Sequence, residues 1–85
     1  MKLSYDSKYN IAYIKFKDKP EQVETIHLSD EVNIDLAPDG KIYGIELLNA
    51  NEQLQILKDM KFVFTDQSSG FTIELPINFK SKANL

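Results

Sequence analysis

Val32-Asn33-Ile34-Asp35-Leu36-Ala37-Pro38-Asp39-Gly40-Lys41-Ile42-Tyr43-Gly44-Ile45-Glu46-Leu47-Leu48 decides the fold of this chain, because two period-2 runs flank a Pro-Asp-Gly turn. Successive side chains of a strand point to opposite faces, so a slip of one residue would carry every apolar group to the wrong side. Pairing Leu36 with Tyr43, Ile34 with Ile45 and Val32 with Leu47 sets apolar against apolar. On the reverse face the same register sets Asp35 against Gly44 and Asn33 against Glu46. It leaves residues 38–41 as a loop in which Pro38 fixes φ for a type I turn and Gly40 takes a positive φ.

Upstream, residues 3–5 read as a short strand and Asp6-Ser7-Lys8-Tyr9-Asn10 as a tight reversal, since Asp, Ser and Asn bond their own backbone in turns. Residues 11–17 alternate Ala12, Ile14 and Phe16 with Ile11, Tyr13 and Lys15, a second strand with one apolar and one mixed face. Asp18-Lys19-Pro20-Glu21 breaks the pattern, because Pro20 has no ladder donor. Residues 23–28 form a weaker third strand whose lack of a clean apolar face predicts an edge position.

Downstream, Asn49-Ala50-Asn51-Glu52 predicts a helix start, either Asn acting as cap and Glu52 standing three residues after Asn49 as in a capping box. A helix of roughly 8–10 residues is expected to follow. Its apolar stripe is Leu54, Leu57 and Met60, widened by Ile56, with Lys58 and Lys61 near the C-terminal end. Residues 62–65 and 71–75, joined by Asp66-Gln67-Ser68-Ser69-Gly70, read as a second hairpin ended by Pro76. Ile77-Asn78-Phe79 could cross an apolar groove, and residues 80–85 are expected to be a flexible tail. The expected fold is therefore α+β: an antiparallel β-meander of about five strands, one helix and a C-terminal β-hairpin, in a single small domain, 1–85.

A chain of 85 residues buries only about 60–65% of the surface its unfolded form exposes. Such a chain often covers a sheet face or edge with a second copy, and a homodimer is expected. With 42% hydrophobic and 27% charged residues, composition gives no case for disorder. No apolar run approaches the ~18 residues of a membrane span, and Met1-Lys2-Leu3-Ser4-Tyr5-Asp6 lacks the apolar core of a secretory signal. A cytoplasmic location without membrane association is expected. Cysteine is absent, which removes disulfides, thiolate nucleophiles and sulfur-ligated zinc. All ten basic residues are lysines and the net charge is -3, so nucleic-acid binding is disfavoured.

Tyr5-Asp6, Asn10 and Tyr13-Ile14-Lys15-Phe16, followed by Val32-Asn33-Ile34-Asp35 and the run from Asp39-Gly40 through Gly44-Ile45-Glu46 to Ala50, resemble the signature of domain of unknown function 2283, a family of small bacterial and phage proteins. The resemblance covers residues 3–50, and its second block is the more specific. At Asn10 that family more often places an acidic residue. The resemblance implies a compact β-meander with a helix and no established reaction. It also implies a small operon-encoded protein partner, in some cases of toxin–antitoxin type.

His27 is the one side chain whose ordinary pKa lies near neutrality, which makes it the first candidate for acid–base work or metal ligation. No Ser, Cys or His beside it completes a nucleophile or ligand set, so a structural or solvent-facing role is the competing reading. Folding can bring Asp35 and Glu46 onto one face; a solvated acidic face is the plainer alternative, and Glu46 in an apolar strand needs a partner such as Tyr5, Tyr13, Lys15 or a backbone donor. Gly44 marks a bulge, the close approach of another backbone, or a ligand contact. No catalytic residue, metal ligand set or cofactor motif is assigned. The leading expectation is a noncatalytic protein-interaction module that self-associates through its sheet. The alternatives are an antitoxin-like partner whose tail, residues 77–85, orders on its target, and a small enzyme or ligand- or metal-binding domain using His27 with Asp35 or Glu46.

Overall fold

The alternating runs form strands: β1 (Lys2–Asp6), β2 (Ile11–Lys15), β3 (Glu24–Ser29), β4 (Val32–Leu36) and β5 (Ile42–Leu48). Two short helices, α1 (Ala50–Leu54) and α2 (Ile56–Asp59), precede β6 (Lys61–Thr65) and β7 (Thr72–Pro76). The computed structural model describes residues 1–18 and 22–77; Lys19, Pro20, Glu21, the Asn78-Phe79 part of the expected groove-crossing segment and the expected tail 80–85 lie outside the described residues. The chain divides into two compact units, Met1–Leu54 and Gln55–Leu85. No helix among the described residues is long and apolar enough to cross a membrane.

The first unit is one antiparallel sheet of order β1-β2-β5-β4-β3, in which the β1–β2 hairpin joins the β3–β4–β5 meander through β2 and β5. The third strand takes the expected edge. The β4–β5 register holds for Val32 with Leu47, Asn33 with Glu46, Ile34 with Ile45 and Asp35 with Gly44. Leu36 corrects the expectation: it pairs with Ile42, not Tyr43, because the register shifts between Asp35 and Leu36 and Tyr43 becomes the extra residue of a bulge. The cause lies in the turn. Gly40 N–H donates to the Ala37 carbonyl (2.9 Å), Gly40 adopts φ +84°, and the Asp39 carboxylate accepts from Lys41 N–H at 2.9 Å. That last bond holds the Asp39 carboxyl below its ordinary pKa.

Register places Leu3, Ile14, Ile45, Ile34 and Ile26 in one transverse row across all five strands. Tyr5, Ala12, Leu47 and Val32 form the adjacent row. Against the second row packs α1: Ala12 and Ala50 are fully buried with Leu47, and Tyr5, Ile14, Val32, Ile45 and Leu54 close around them. Two methyl side chains facing each other let the helix approach the sheet closely.

The expected single helix is two. Gln55 adopts the left-handed conformation (φ 52°, ψ 38°) and ends the first helix after Leu54, so the predicted stripe splits into Leu54 in the sheet's core, buried Ile56 and half-exposed Leu57. A segment this short commits weakly to helix in water, so packing decides its extent. The expected capping box is also redrawn. Asn49 sits at φ 51° with its side chain donating to Glu52 Oε2 (2.8 Å), and the acceptor for the helix comes from the β1–β2 turn. Asn10 Oδ1 accepts from Asn51 N–H at 2.7 Å, its carbonyl accepts from Ala50 N–H at 3.0 Å, and its Nδ2 donates to Asn49 Oδ1 at 3.1 Å. Asn10 itself holds φ 57°, a conformation Asn tolerates better than most residues.

In the second unit β6 and β7 pair as expected, Phe62 with Leu75 and Phe64 with Ile73 on one face and Val63 with Glu74 on the other. The loop is tied by Asp66, whose carboxylate accepts from the Ser69 hydroxyl (2.8 Å) and from Ser68 N–H (3.2 Å). The same two bonds lower the Asp66 pKa, the hydroxyl bond most. Gly70 completes the turn at φ +79°.

Asn10→Ala removes both side-chain bonds that hold the turn to α1, and is expected to lower unfolding free energy by about 1–2 kcal/mol in urea titrations. Asn10→Asp keeps the acceptor and the left-handed backbone, and should lose less than half of that amount.

Candidate functional site

The four candidate residues of the sequence reading, His27, Asp35, Gly44 and Glu46, fall on the same face of the sheet, opposite the α1-covered face. Period-2 alternation requires this once Asp35 is opposite Gly44 and Asn33 opposite Glu46. They do not gather around a common point. They belong to two hydrogen-bonded ladders, each crossing several strands.

The first ladder runs from β3 through β4 to β5. Asn33 Nδ2 donates to Glu46 Oε1 at 2.9 Å, which leaves Asn33 Oδ1 to accept from His27 Nδ1–H at 2.7 Å. Glu46 therefore finds its partner in Asn33, a neighbour absent from the set Tyr5, Tyr13, Lys15 or backbone. The His27 side chain is 66% exposed, with Nε2 4.0 Å from Asp30 Oδ1.

The second ladder is built on Asp35. Its Oδ2 accepts from the Tyr13 hydroxyl at 2.7 Å and its Oδ1 from the Thr25 hydroxyl at 2.6 Å. Tyr13 stands on β2 and Asp35 on β4, with β5 between them. The phenol reaches across because the residue beneath it is Gly44: a Cβ there would sit 2.6 Å from Tyr13 Cζ and 2.7 Å from Cε1. Gly44 thus serves close packing, and the Tyr13 and Tyr43 rings lie 6.4 Å apart and tilted by 51° beside it. Burial, then the hydrogen bond and charge of Asp35, push the Tyr13 phenol well above its ordinary pKa.

Tyr13, Asn33 and Thr25 are the members that sequence reasoning passed over as site residues. The Asn33–Glu46 pairing was visible in the hairpin register, but Tyr13 enters only through the β2–β5 pairing, for which no turn gives a local signal. Among the described residues, Ser4, Tyr5, Asp6, Ser7, Ile11 and Tyr13 line one surface depression, and residues 22–24 with Leu36, Ala37, Pro38 and Gly40 line another. Neither includes His27, Asp35, Gly44 or Glu46. Among the described residues no group of three or more His, Asp or Glu is placed to hold a metal ion. Chemically, the face is a set of donors and acceptors engaged with one another.

Gly44→Ala must displace the Tyr13 ring from Asp35 and is expected to cost about 1–3 kcal/mol of stability. In a Tyr13→Ala background the same substitution should cost under ~0.5 kcal/mol, so a double-mutant cycle measured by denaturation isolates the clash. The pH dependence follows from the raised phenol pKa. Tyr13 contributes its stability fully below the unfolded tyrosine pKa of about 10, and that contribution is lost as pH rises above it. Tyr13→Phe should flatten the alkaline limb of a stability–pH curve.

No curated protein and no solved structure gives a significant match to the chain. The model of one family, described as Protein of unknown function (DUF2283), matches residues 2–51, more than half of the sequence. The match takes in the whole five-stranded sheet and ends at Asn51, whose N–H is held by Asn10. The chain belongs to this family, the protein of unknown function family DUF2283.

Proposed function

We propose that the protein is a noncatalytic interaction module that associates with a second copy of itself through the apolar face of its five-stranded sheet. The observation that carries this reading is the transverse row Leu3–Ile14–Ile45–Ile34–Ile26. It runs from one edge of the sheet to the other, and its two ends, Leu3 and Ile26, are 45% and 40% exposed. The buried sheet members of the cluster with Ala50, Ala12 and Leu47, lie in the neighbouring row, and of this row only Ile14 and Ile45 pack against it. Phe16 and Ile42, 40% and 41% exposed, enlarge the open apolar surface.

The contrast between the two faces supports the same choice. On the polar face the carboxylates of Asp35 and Glu46 accept from Tyr13, Thr25 and Asn33, so a ligand there must displace bonds already formed. On the apolar face, where Glu24 stands opposite Leu36 at the edge strand, a partner that leaves that carboxylate in water displaces only water, worth roughly 25 cal/mol for each Å² covered. Contiguous exposed apolar surface of this kind marks interaction sites in small proteins.

Light scattering on the full chain at about 100 μM should give the mass of a dimer, the concentration being ample for an ordinary homodimer interface. Ile26→Glu, an exposed position on an edge strand, should leave the circular dichroism spectrum intact and weaken dimerisation about tenfold or more, equivalent to ~1.4 kcal/mol. A wild-type chain that stays monomeric, or an Ile26→Glu chain that dimerises as well as wild type, would defeat the proposal.

A further inference from the structure

Among the described residues, the outer edges of β1 and β3 and of the β6–β7 hairpin lie beside no further strand. The backbone groups of such an edge template pairing with another chain unless the edge is blunted. β7 ends in Pro76, which has no N–H, and a second β7 laid antiparallel about its midpoint would set Glu74 against Glu74. The register shift between His27 and Ser29 interrupts a regular ladder along β3. β6 treated in the same way sets Lys61 against Thr65, with no charge to answer it.

β1 differs from all three. Lys2-Leu3-Ser4-Tyr5-Asp6, laid antiparallel against a second copy of itself about Ser4, sets Lys2 opposite Asp6 at both ends and Leu3 opposite Tyr5 twice. We infer that β1 pairs in this register with β1 of a second copy, so that two five-stranded sheets become one. A strand cannot lie beside itself, so the chain's own β1 cannot supply the partner.

Charge and geometry both favour this register. Within its own sheet Lys2 stands opposite Lys15, a like-charge pair that an incoming carboxylate relieves. Asp6 is fixed at the strand end by Oδ1, which accepts from Lys8 N–H at 2.9 Å and from Tyr9 N–H at 3.3 Å, leaving Oδ2 for Lys2 of the other copy. A two-fold axis normal to the sheet keeps every side chain on its own face, as pairing between residues of like parity requires. Residues of like parity also turn their N–H and C=O groups to the same side, so outward-facing groups meet outward-facing groups.

This surface is separate from the apolar face proposed above. Five residues a side fall short of the about 20–30 of a standard interface, so the edge contact is the weaker and adds above the concentration at which the face contact forms. Two self-complementary surfaces on one chain close as a tetramer or extend as an array.

Because the chain has no cysteine, single introduced thiols report the register. The two Ser4 Cα atoms would stand about 4.5–5.5 Å apart across the axis, within a disulfide's span, and the two Lys2 Cα atoms about 14 Å apart, beyond it. In the full chain at about 1 mM under air, Ser4→Cys should form the intermolecular disulfide at least tenfold faster than Lys2→Cys. Adding Lys2→Glu to Ser4→Cys sets carboxylate against carboxylate and should slow the cross-link roughly threefold or more. Equal rates for the two single-cysteine chains, or a Ser4→Cys rate indifferent to Lys2→Glu, overturn the inference. Ile26→Glu, which breaks the face contact, should leave the Ser4→Cys cross-link in place; its loss there would overturn the edge as an interface of its own.

Discussion

The hydrogen bond from Tyr13 to Asp35 across Gly44 holds the sheet at its one junction without a turn. β1–β2, β3–β4 and β4–β5 are each joined by a short reversal that fixes register locally, but β2 and β5 meet with two strands of sequence between them. A slip there by one residue would lift Tyr13 off the face that carries Asp35 and press a different side chain over Gly44. The ties across this seam come from distant parts of the chain. Tyr13 spans it on one face, Ala12 packs with Leu47 and Ala50 on the other, and Asn10 fastens the β1–β2 turn to the helix that leaves β5. The family match covers the segment these ties enclose.

Much of the meander was legible because its signals are local. Alternation and a Pro-Asp-Gly turn specify four of the five β4–β5 pairs. The fifth fails where a left-handed Gly40 demands a compensating bulge, a step the alternation of side chains does not encode. The helix was legible in its start and not in its length. Neither glycine nor proline stands between Leu54 and Ile56, so the left-handed Gln55 that ends the first helix carries no residue signal. Asn10 drew notice as a departure from the family pattern. Its work lies with partners up to 41 positions away, and no local reading reaches them.

The candidate site shows the same division. That Asp35, Gly44 and Glu46 share a face follows from the hairpin register, and His27 joins them through its pairing with Asn33 between β3 and β4. That Asp35 binds Tyr13 and Glu46 binds Asn33 needs knowledge of which strands are neighbours, and only half of that was encoded in turns. Gly44 is the instructive residue. An unexplained glycine in a strand suggests either a ligand or a neighbour, and here the neighbour is an aromatic ring whose hydroxyl has a carboxylate to reach.

These pairings bear on function through a simple asymmetry. A donor and acceptor already joined gain little from a newcomer, since each new bond replaces an old one. Apolar side chains gain from any surface that fits, in proportion to the area covered. One face of this sheet has used its polar groups to fix its own register, at the seam where register is otherwise unspecified. The other keeps a row of five aliphatic side chains whose ends are open to water. A domain this small has little interior to spend on both tasks. Tyr13, Asp35, Asn33 and Glu46 tie neighbouring strands together, and the proposed function rests on side chains with less chemistry.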